Sequence, residues 1–549
     1  MLRFSIRPRL STLRLLPTSS RLLSTAANPS PLSLRSLLNI DAMENENPNR
    51  RPRNNRRKRS AAPSTPDSQP GQFYARGKTP VQAATIRHLA TARGDVLAQA
   101  KTGTGKTIAF LLPAIQSLLH RDPSRGNGIS LLAISPTREL ALQIAKEAQM
   151  LLQRLPSIKV CTAIGGTNKN TEERQIRKGC QILVGTPGRI FDHLTAEDGG
   201  ESEVRAMLQG LDTLVLDEAD RLLDMGFLPS LKKIVSCLPR RDKVPRQGML
   251  FSATVADHVA KVASIALAPN YKFISTIATG ETNTHERVPQ HLVVVPTFAD
   301  MAAGLVGAIR HELDQSADKG ASFKAIVFAP TAGLVDFYAA VFEKISGLPA
   351  VSTLHSRMSQ SKRTSVTEDF RRAASGVMIA TDVIARGMDF PAVSNVFQAG
   401  IPSDKESYIH RLGRTARAGA EGRGTLIVTS HETYFPRRVM KAITFIDQEA
   451  DLSSREDVDY VTERLDEARQ TKTYQAWLGF YRPFVKALGW TDARLVQEAN
   501  IFARDGLGAP ETPGLAKSTI GKMGLKGVPG LRAVPDPPRK PRGGKAKDV

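Results

Sequence analysis

The feature that most restricts what this chain can fold into is a junction near residue 100. The apolar run Asp95-Val-Leu-Ala-Gln-Ala100 passes directly into Lys101-Thr-Gly-Thr-Gly-Lys-Thr107, and the apolar segment Ile108–Leu119 follows. Strand, glycine loop and helix in that order make a phosphate-binding loop. Glycines let successive backbone N–H groups turn inward around phosphate oxygens, and the helix N-terminus adds favourable partial charge. The spacing arranges Ala100, Lys101, Thr102, Gly103, Thr104, Gly105, Lys106 and Thr107 around a nucleoside triphosphate. Lys106 is expected to reach the β- and γ-phosphates and Thr107 to offer its hydroxyl to Mg²⁺. The loop opens on Ala100, where the general pattern has glycine.

A loop of this kind needs a parallel sheet around it, and the flanking sequence supplies one. Short apolar runs alternate with amphipathic stretches at Asp95–Ala100, Leu131–Ser135, Val160–Ala163, Ile182–Gly185 and Leu214–Leu216. Continuous apolar strands between helices indicate a parallel sheet covered on both faces. A polar passage at Ala278–Pro289 interrupts the series, which restarts at His291–Val295, Ala325–Phe328, Ala350–Leu354, Gly376–Ala380, Val393–Gln398 and Gly424–Thr429. The expected fold is therefore α/β, with two parallel-sheet domains in tandem. Beyond residue 445 the strand pattern stops. Val458–Phe502 reads as helix and holds both tryptophans, Trp477 and Trp490, beside Tyr474, Phe480, Tyr481 and Phe484. Aromatics at helical spacing are expected to be core. The domain reading is a transit segment at 1–40, a disordered basic linker at 41–72, α/β domains at 73–285 and 286–445, a helical extension at 446–508 and a disordered basic tail at 509–549.

Chemistry beyond phosphate binding is legible at two further places. The run Leu211–Leu216 ends in Asp217-Glu-Ala-Asp220. A carboxylate at the end of a strand beside the loop strand is where a Mg²⁺ partner belongs, so Asp217 is the expected metal residue. Glu218 is expected to orient and deprotonate an attacking water. Far along the chain, Tyr408-Ile-His-Arg-Leu-Gly-Arg-Thr-Ala-Arg-Ala-Gly419 repeats arginine at 411, 414 and 417, a spacing at which one helical turn presents two or three guanidiniums to a neighbour. Positive charge at a developing γ-phosphate is what triphosphate hydrolysis requires. These arginines belong to the second domain, so hydrolysis would require the two domains to close on each other.

The net charge of +23 sits mainly at the ends. Residues 1–60 carry 13 Arg and Lys against three acids, and residues 516–549 carry nine against two. That leaves a nearly balanced middle and points to targeting and to a polyanionic partner at the ends. The first forty residues hold six arginines and eight serines with no acid before Asp41, the composition of a mitochondrial transit peptide. The mitochondrial matrix is the expected compartment. The run Arg50–Arg59 leaves the nucleus or nucleolus as the alternative. Three cysteines without a close pair exclude a disulfide scaffold. No apolar run is long enough for a membrane-spanning helix, so no membrane insertion is expected.

Taken in order, these segments resemble the DEAD-box RNA helicases of superfamily two. The resemblance rests on the loop ending at Thr107, Pro136-Thr-Arg-Glu-Leu140, Gly165-Gly166, Thr186-Pro-Gly-Arg189, Asp217–Asp220 and Ser252-Ala-Thr254. It continues through Ile326–Thr331, Gln360-Ser-Lys-Arg363, Ala380–Asp389 and His410–Arg417, and so covers residues 79–419. It implies two RecA-like domains, ATP and Mg²⁺ in the cleft, RNA across both domains, and an RNA-dependent ATPase. Gln82 would read the adenine, Asp389 would meet the ribose, and Arg414 and Arg417 would be arginine fingers. Ser252, Thr254, Asp220 and His410 would couple nucleotide to RNA. Pro136, Thr137, Arg138, Gly166, Thr186 and Arg189 would hold the RNA backbone from the first domain, and Thr331, Arg363, Thr381 and Gly387 from the second.

Hydroxyls, glycine N–H groups and arginines grip a sugar-phosphate backbone without reading sequence, which suits single-stranded and duplex RNA alike. The implied action is domain closure, RNA bending and local duplex unwinding by a monomer. The alternative is an ATP-gated RNA clamp or assembly scaffold with little strand separation. The arginine-rich start, the segment Arg386–Pro391, the helical extension and the basic tail together resemble the fungal mitochondrial members that act as RNA chaperones in splicing. One departure stands out. The family's isolated aromatic upstream of the Gln82 motif would fall within Arg50–Pro63, which contains none.

Overall fold

A computed structural model of the chain describes residues 77–122, 126, 128–195, 202–254, 257–277, 288–318, 320–384, 388, 390–416 and 421–537. The expected transit segment and linker lie outside the described residues, as do Gly387, Asp389, Arg417 and the last twelve residues of the tail.

Two seven-stranded sheets organise the described chain. The first contains β1 (Val96–Gln99), β2 (Leu131–Ile134), β3 (Val160–Ala163), β4 (Ile182–Gly185), β5 (Thr213–Leu216), β6 (Gln247–Ser252) and β7 (Lys272–Ser275). The second contains β8 (Gln290–Val295), β9 (Lys324–Phe328), β10 (Val351–Leu354), β11 (Gly376–Ala380), β12 (Asn395–Ala399), β13 (Arg423–Thr429) and β14 (Ile446–Gln448). The spatial order is β3-β4-β2-β5-β6-β1-β7 in the first and β10-β11-β9-β12-β13-β8-β14 in the second. The second order is the first with every strand advanced by seven, so the chain is one topology used twice. All pairings within both sheets are parallel. These are two parallel-sheet domains, as the apolar runs require, in the RecA-like form that the resemblance implies. The central strands β2, β4, β5, β6, β9, β11 and β12 are buried along their whole length because helices cover both faces.

The extension departs from a single long helix. It forms helices at Arg455–Thr462, Glu467–Tyr481 and Asp492–Ile501, with Pro483 in a tight turn between the last two. Its aromatics are core. Trp477 is 2% exposed and packs 4.9 Å from Phe298 and 5.7 Å from Phe502, ring centre to ring centre. Phe298 belongs to the second domain, so domain and extension share one apolar cluster. Truncating Trp477 to alanine is expected to cost about 3–5 kcal/mol, read as a lower denaturant midpoint for the second domain.

The expectation of disorder from residue 509 is corrected for residues 509–537. Two short strands, β15 (Leu515–Ala516) and β16 (Ala533–Val534), pair in parallel around the helix Lys517–Lys522. Leu515, Ile520 and Leu525 are buried in the same cluster as Trp477. Three apolar anchors set among Gly, Pro and Lys are too sparse to show a period, yet each fills a site on a core that already exists. The arginine repeat is also corrected: its helix, Lys405–Leu412, stops before Arg414.

Candidate active site and nucleic-acid interface

Functional side chains gather at the C-terminal ends of the parallel strands, where open α/β sheets bind ligands. β1 runs into the loop at Lys101, and the helix Lys106–Leu119 follows from Gly105. Gly103 and Gly105 hold φ of +74° and +85°, a left-handed turn open to glycine and strained for other residues. Lys106 is buried, and its ammonium donates to the Ala100 carbonyl oxygen (3.2 Å) and faces Glu218 Oε1 at 3.9 Å. The lysine thus folds back across the loop to its first residue.

β5 delivers Asp217 and Glu218 beside it. The Asp217 carboxyl is pushed up to about 7 by burial and then by the Glu218 charge, with Lys106 opposing. Glu218 stands at φ +53° and ψ +52°, a left-handed conformation rare for a side chain of this size. Its Oε2 is buried with no hydrogen-bond partner among the described residues. A strained backbone and an unsatisfied buried oxygen in one residue are the marks of a group held for chemistry rather than for stability.

Asp220 joins the two domains. Its Oδ2 accepts from Thr254 Oγ1 (3.2 Å) and lies 3.5 Å from His410 Nε2 of the second domain. Lys101, Thr102, Ala253, Thr254, Glu406, Ile409 and His410 line one small cleft there. A Cβ on Gly413 would fall 2.5 Å from Thr102 Oγ1, so the second domain touches the loop itself. The neighbouring Arg414 is 1% exposed and donates to the carbonyl oxygens of Met388 and His410. Arg411 makes a bidentate pair with Asp382 (2.7 and 2.9 Å) and so stabilises the second domain internally. Ser252 is fully buried, and its hydroxyl has no partner among the described residues.

Gln82 holds a structural position. Its Oε1 accepts from Thr79 N (3.2 Å) in a capping box, and its Nε2 donates to the Gly105 carbonyl oxygen (3.2 Å). The amide expected to read adenine thus also ties a helix start to the phosphate loop.

The expected RNA face is a row of helix N-termini. Thr137 caps Arg138–Leu151, Thr186 precedes Pro187–Leu194, and Thr331 caps Ala332–Phe342. Thr137 and Thr331 use their hydroxyls as caps, whereas the Thr186 hydroxyl makes no cap bond. Pro136 is buried ahead of this row, and Thr381 is half-buried where its N–H donates to the Leu354 carbonyl oxygen. Gly166 is exposed at φ +88°, with Arg138 laid across it.

Arg363 does not face outward as expected. It is 4% exposed, and its Nη2 donates to Glu139 Oε2 of the first domain at 2.7 Å. Beside it, Gln360 donates to Glu139 Oε1 (3.3 Å) and accepts from Arg138 Nη1 (3.4 Å). Burial and the adjacent Arg363 charge lower the pKa of Arg138. Glu139 and Gln360 lie within the quoted motifs, but sequence reasoning gave them no role. A carboxylate one residue after an expected phosphate-binding arginine was the available clue.

The DEAD/DEAH box helicase family matches residues 79–262, and the helicase conserved C-terminal domain matches residues 306–419. The mitochondrial ATP-dependent RNA helicase MSS116 of Phaeosphaeria nodorum is 44% identical over 461 residues, spanning 82% of each chain. This chain belongs to the DEAD-box ATP-dependent RNA helicases. The DEAD-box ATP-dependent RNA helicase 26 of Oryza sativa subsp. japonica is 42% identical to this helicase over 462 residues, covering 83% of this chain and 82% of the relative. Among solved structures, Mss116p bound to single-stranded RNA and AMP-PNP superposes with a TM-score of 0.74 at 31% identity. It spans 85% of the helicase and 93% of that chain.

Proposed function

We propose that the helicase couples ATP hydrolysis to closure of its two sheets over an RNA backbone, bending the strand and opening short duplexes locally. The observation that carries this reading is the double junction between the domains: Asp220 with His410 beside the phosphate loop, and Glu139 with Arg363 beside the helix N-termini. One junction adjoins the ATP site and the other adjoins the RNA face, so neither ligand can be gripped fully while the sheets stand apart.

Each described side chain takes its role from its position, and Arg417 and Asp389 take theirs from the resemblance. The loop from Ala100 to Thr107 cradles the triphosphate and Lys106 holds its terminal phosphates. Glu218 accepts a proton from a water whose oxygen bonds to the γ-phosphorus. The bridging P–O bond breaks, and ADP departs with those electrons. Arg414 and Arg417 stabilise the charge that develops, and Asp389 meets the ribose. Asp217 and Glu218 bring two buried carboxyls to the ammonium of Lys106, an imbalance that a divalent cation offsets. Thr107 and Asp217 would hold Mg²⁺, which supplies charge neutralisation at the phosphates when bound. Among the described residues no cluster of three metal-ligating side chains exists, and Mg²⁺ in phosphoryl transfer needs few protein ligands.

Thr137, Arg138, Gly166, Thr186, Thr331 and Thr381 line the proposed backbone grip, to which the resemblance adds Gly387, with Ser252, Thr254, Asp220 and His410 relaying between the sites. The arginine-rich start and the mitochondrial names of the relatives favour action in the mitochondrial matrix, as a monomeric RNA chaperone in splicing and remodelling. The domain boundaries read from the sequence are kept, with residues 509–537 added to the extension.

RNA-stimulated ATPase activity, with DNA of the same sequence as control, tests the reading. Strong stimulation by RNA alone supports it, and equal stimulation by DNA overturns the RNA assignment. Truncating Arg363 to alanine removes the charge paired with buried Glu139 and leaves it the neutral Gln360 amide, at a cost of about 3 kcal/mol in the closed state. The RNA concentration for half-maximal ATPase is expected to rise on the order of 100-fold. The Glu139→Ala/Arg363→Ala pair should recover much of that loss.

A further inference from the structure

Glu172 lies outside the ATP site and outside every motif recognised in the sequence, yet its carboxylate takes four donors. It stands in the helix Lys169–Arg177 and is buried. Oε1 accepts from the Ile164 N–H (3.1 Å) and from the Thr167 hydroxyl. Oε2 accepts from Arg189 Nη1 (3.1 Å) and His193 Nε2 (2.8 Å). Arg189 Nη2 then donates back to the Thr167 carbonyl oxygen (3.1 Å), closing a ring. Burial alone would raise the carboxyl, but the donors outweigh it and hold it below the usual range.

A fold tie would explain a buried, paired carboxylate, but the two segments tied here are both ligand-facing loops. One is the turn Ile164–Thr167, with Gly166 exposed at φ +88°. The other is the start of the helix Pro187–Leu194, where the Thr186 hydroxyl makes no cap bond and Gly188 is exposed. A phosphate backbone reads such segments through their N–H groups and hydroxyls, so their relative spacing sets affinity. Arg189, expected to touch RNA, instead points its guanidinium at Glu172 and Thr167.

We propose that Glu172 is a positioning residue for RNA binding, fixing the Gly166 turn and the Thr186 helix start as one backbone grip with Arg189 as the brace between them. This rests on the assignment of that edge to RNA. Through Arg138, which lies on Gly166 and meets Gln360, the same grip reaches the second domain.

The test compares the full chain with its Glu172→Ala and Glu172→Gln variants in ATPase titrations against a poly(U) single strand. For Glu172→Ala the half-saturating RNA concentration is expected to rise about tenfold, the scale of a lost charge-assisted hydrogen bond. The turnover at saturating RNA and the rate without RNA should stay within about twofold, as for a group acting only through RNA affinity. Glu172→Gln keeps an acceptor for Ile164 and Thr167 but loses the charge facing Arg189, so it should fall between. It also decides the matter if the alanine variant fails to fold. The dependence of RNA affinity on salt should flatten in the variants as phosphate contacts are lost. An unchanged half-saturation and salt slope with a lowered melting temperature would reduce Glu172 to a fold tie and overturn the proposal. If the unaltered chain shows no stimulation by RNA, the RNA assignment fails instead.

Discussion

Arg414→Ala is expected to lower RNA-stimulated ATP hydrolysis by about 10³–10⁵-fold, the range for removing an arginine finger. The guanidinium is buried and anchored to the carbonyl oxygens of Met388 and His410, so its direction is fixed before ATP arrives. Its neighbour Gly413 meets Thr102 of the phosphate loop. Charge placed in advance in a dry cleft acts more strongly on a transition state than a solvated side chain. Nucleotide affinity should change far less, because the proposed phosphate contacts, the loop amides and Lys106, belong to the first domain. Single-turnover hydrolysis beside equilibrium binding of a fluorescent ATP analogue separates the two. A melting temperature close to that of the unaltered chain guards against loss of fold.

Glu218→Gln carries the second large effect, a fall in turnover of about 10²–10⁴-fold. The substitution keeps size and shape but removes the proposed proton acceptor. It also removes one of the negative charges that push Asp217 up to about 7. ATP and RNA should therefore bind at least as tightly, and the closed complex should persist because hydrolysis no longer ends it. Native gel mobility with ATP and RNA together reads that persistence. Hydrolysis at the normal rate would remove Glu218 from its role.

Much of the site was legible because its parts are contiguous. A phosphate loop announces itself in one strand-to-helix passage, and Asp217 and Glu218 follow directly from β5. The doubling of the sheet order was legible as two series of apolar runs. The contacts between distant segments were not. Arg363 read as a free phosphate ligand because its partner Glu139 is 224 residues away, and no local pattern ties the two. The tie from the Gln82 amide to the Gly105 carbonyl oxygen likewise spans 23 residues and leaves no local trace. Glu172 drew no role from the sequence, because Ile164, Thr167, Arg189 and His193, which meet its carboxylate, form no local pattern with it. Leu515, Ile520 and Leu525 were lost among glycines and prolines, since isolated anchors on an existing core leave no periodic trace.

Closure itself is open to a direct measurement at Lys146 and Glu368, an exposed pair 3.9 Å apart across the two domains. Lys146→Cys/Glu368→Cys, treated with a short bismaleimide, should crosslink when RNA and a non-hydrolysable ATP analogue are both present. Little product should form with either ligand alone. The native cysteines, Cys161, Cys180 and Cys237, all lie in the first domain, so the Glu368→Cys single variant measures their background. Crosslinking to the same extent without ligands, or none with both, would contradict coupling of ATP and RNA through domain closure.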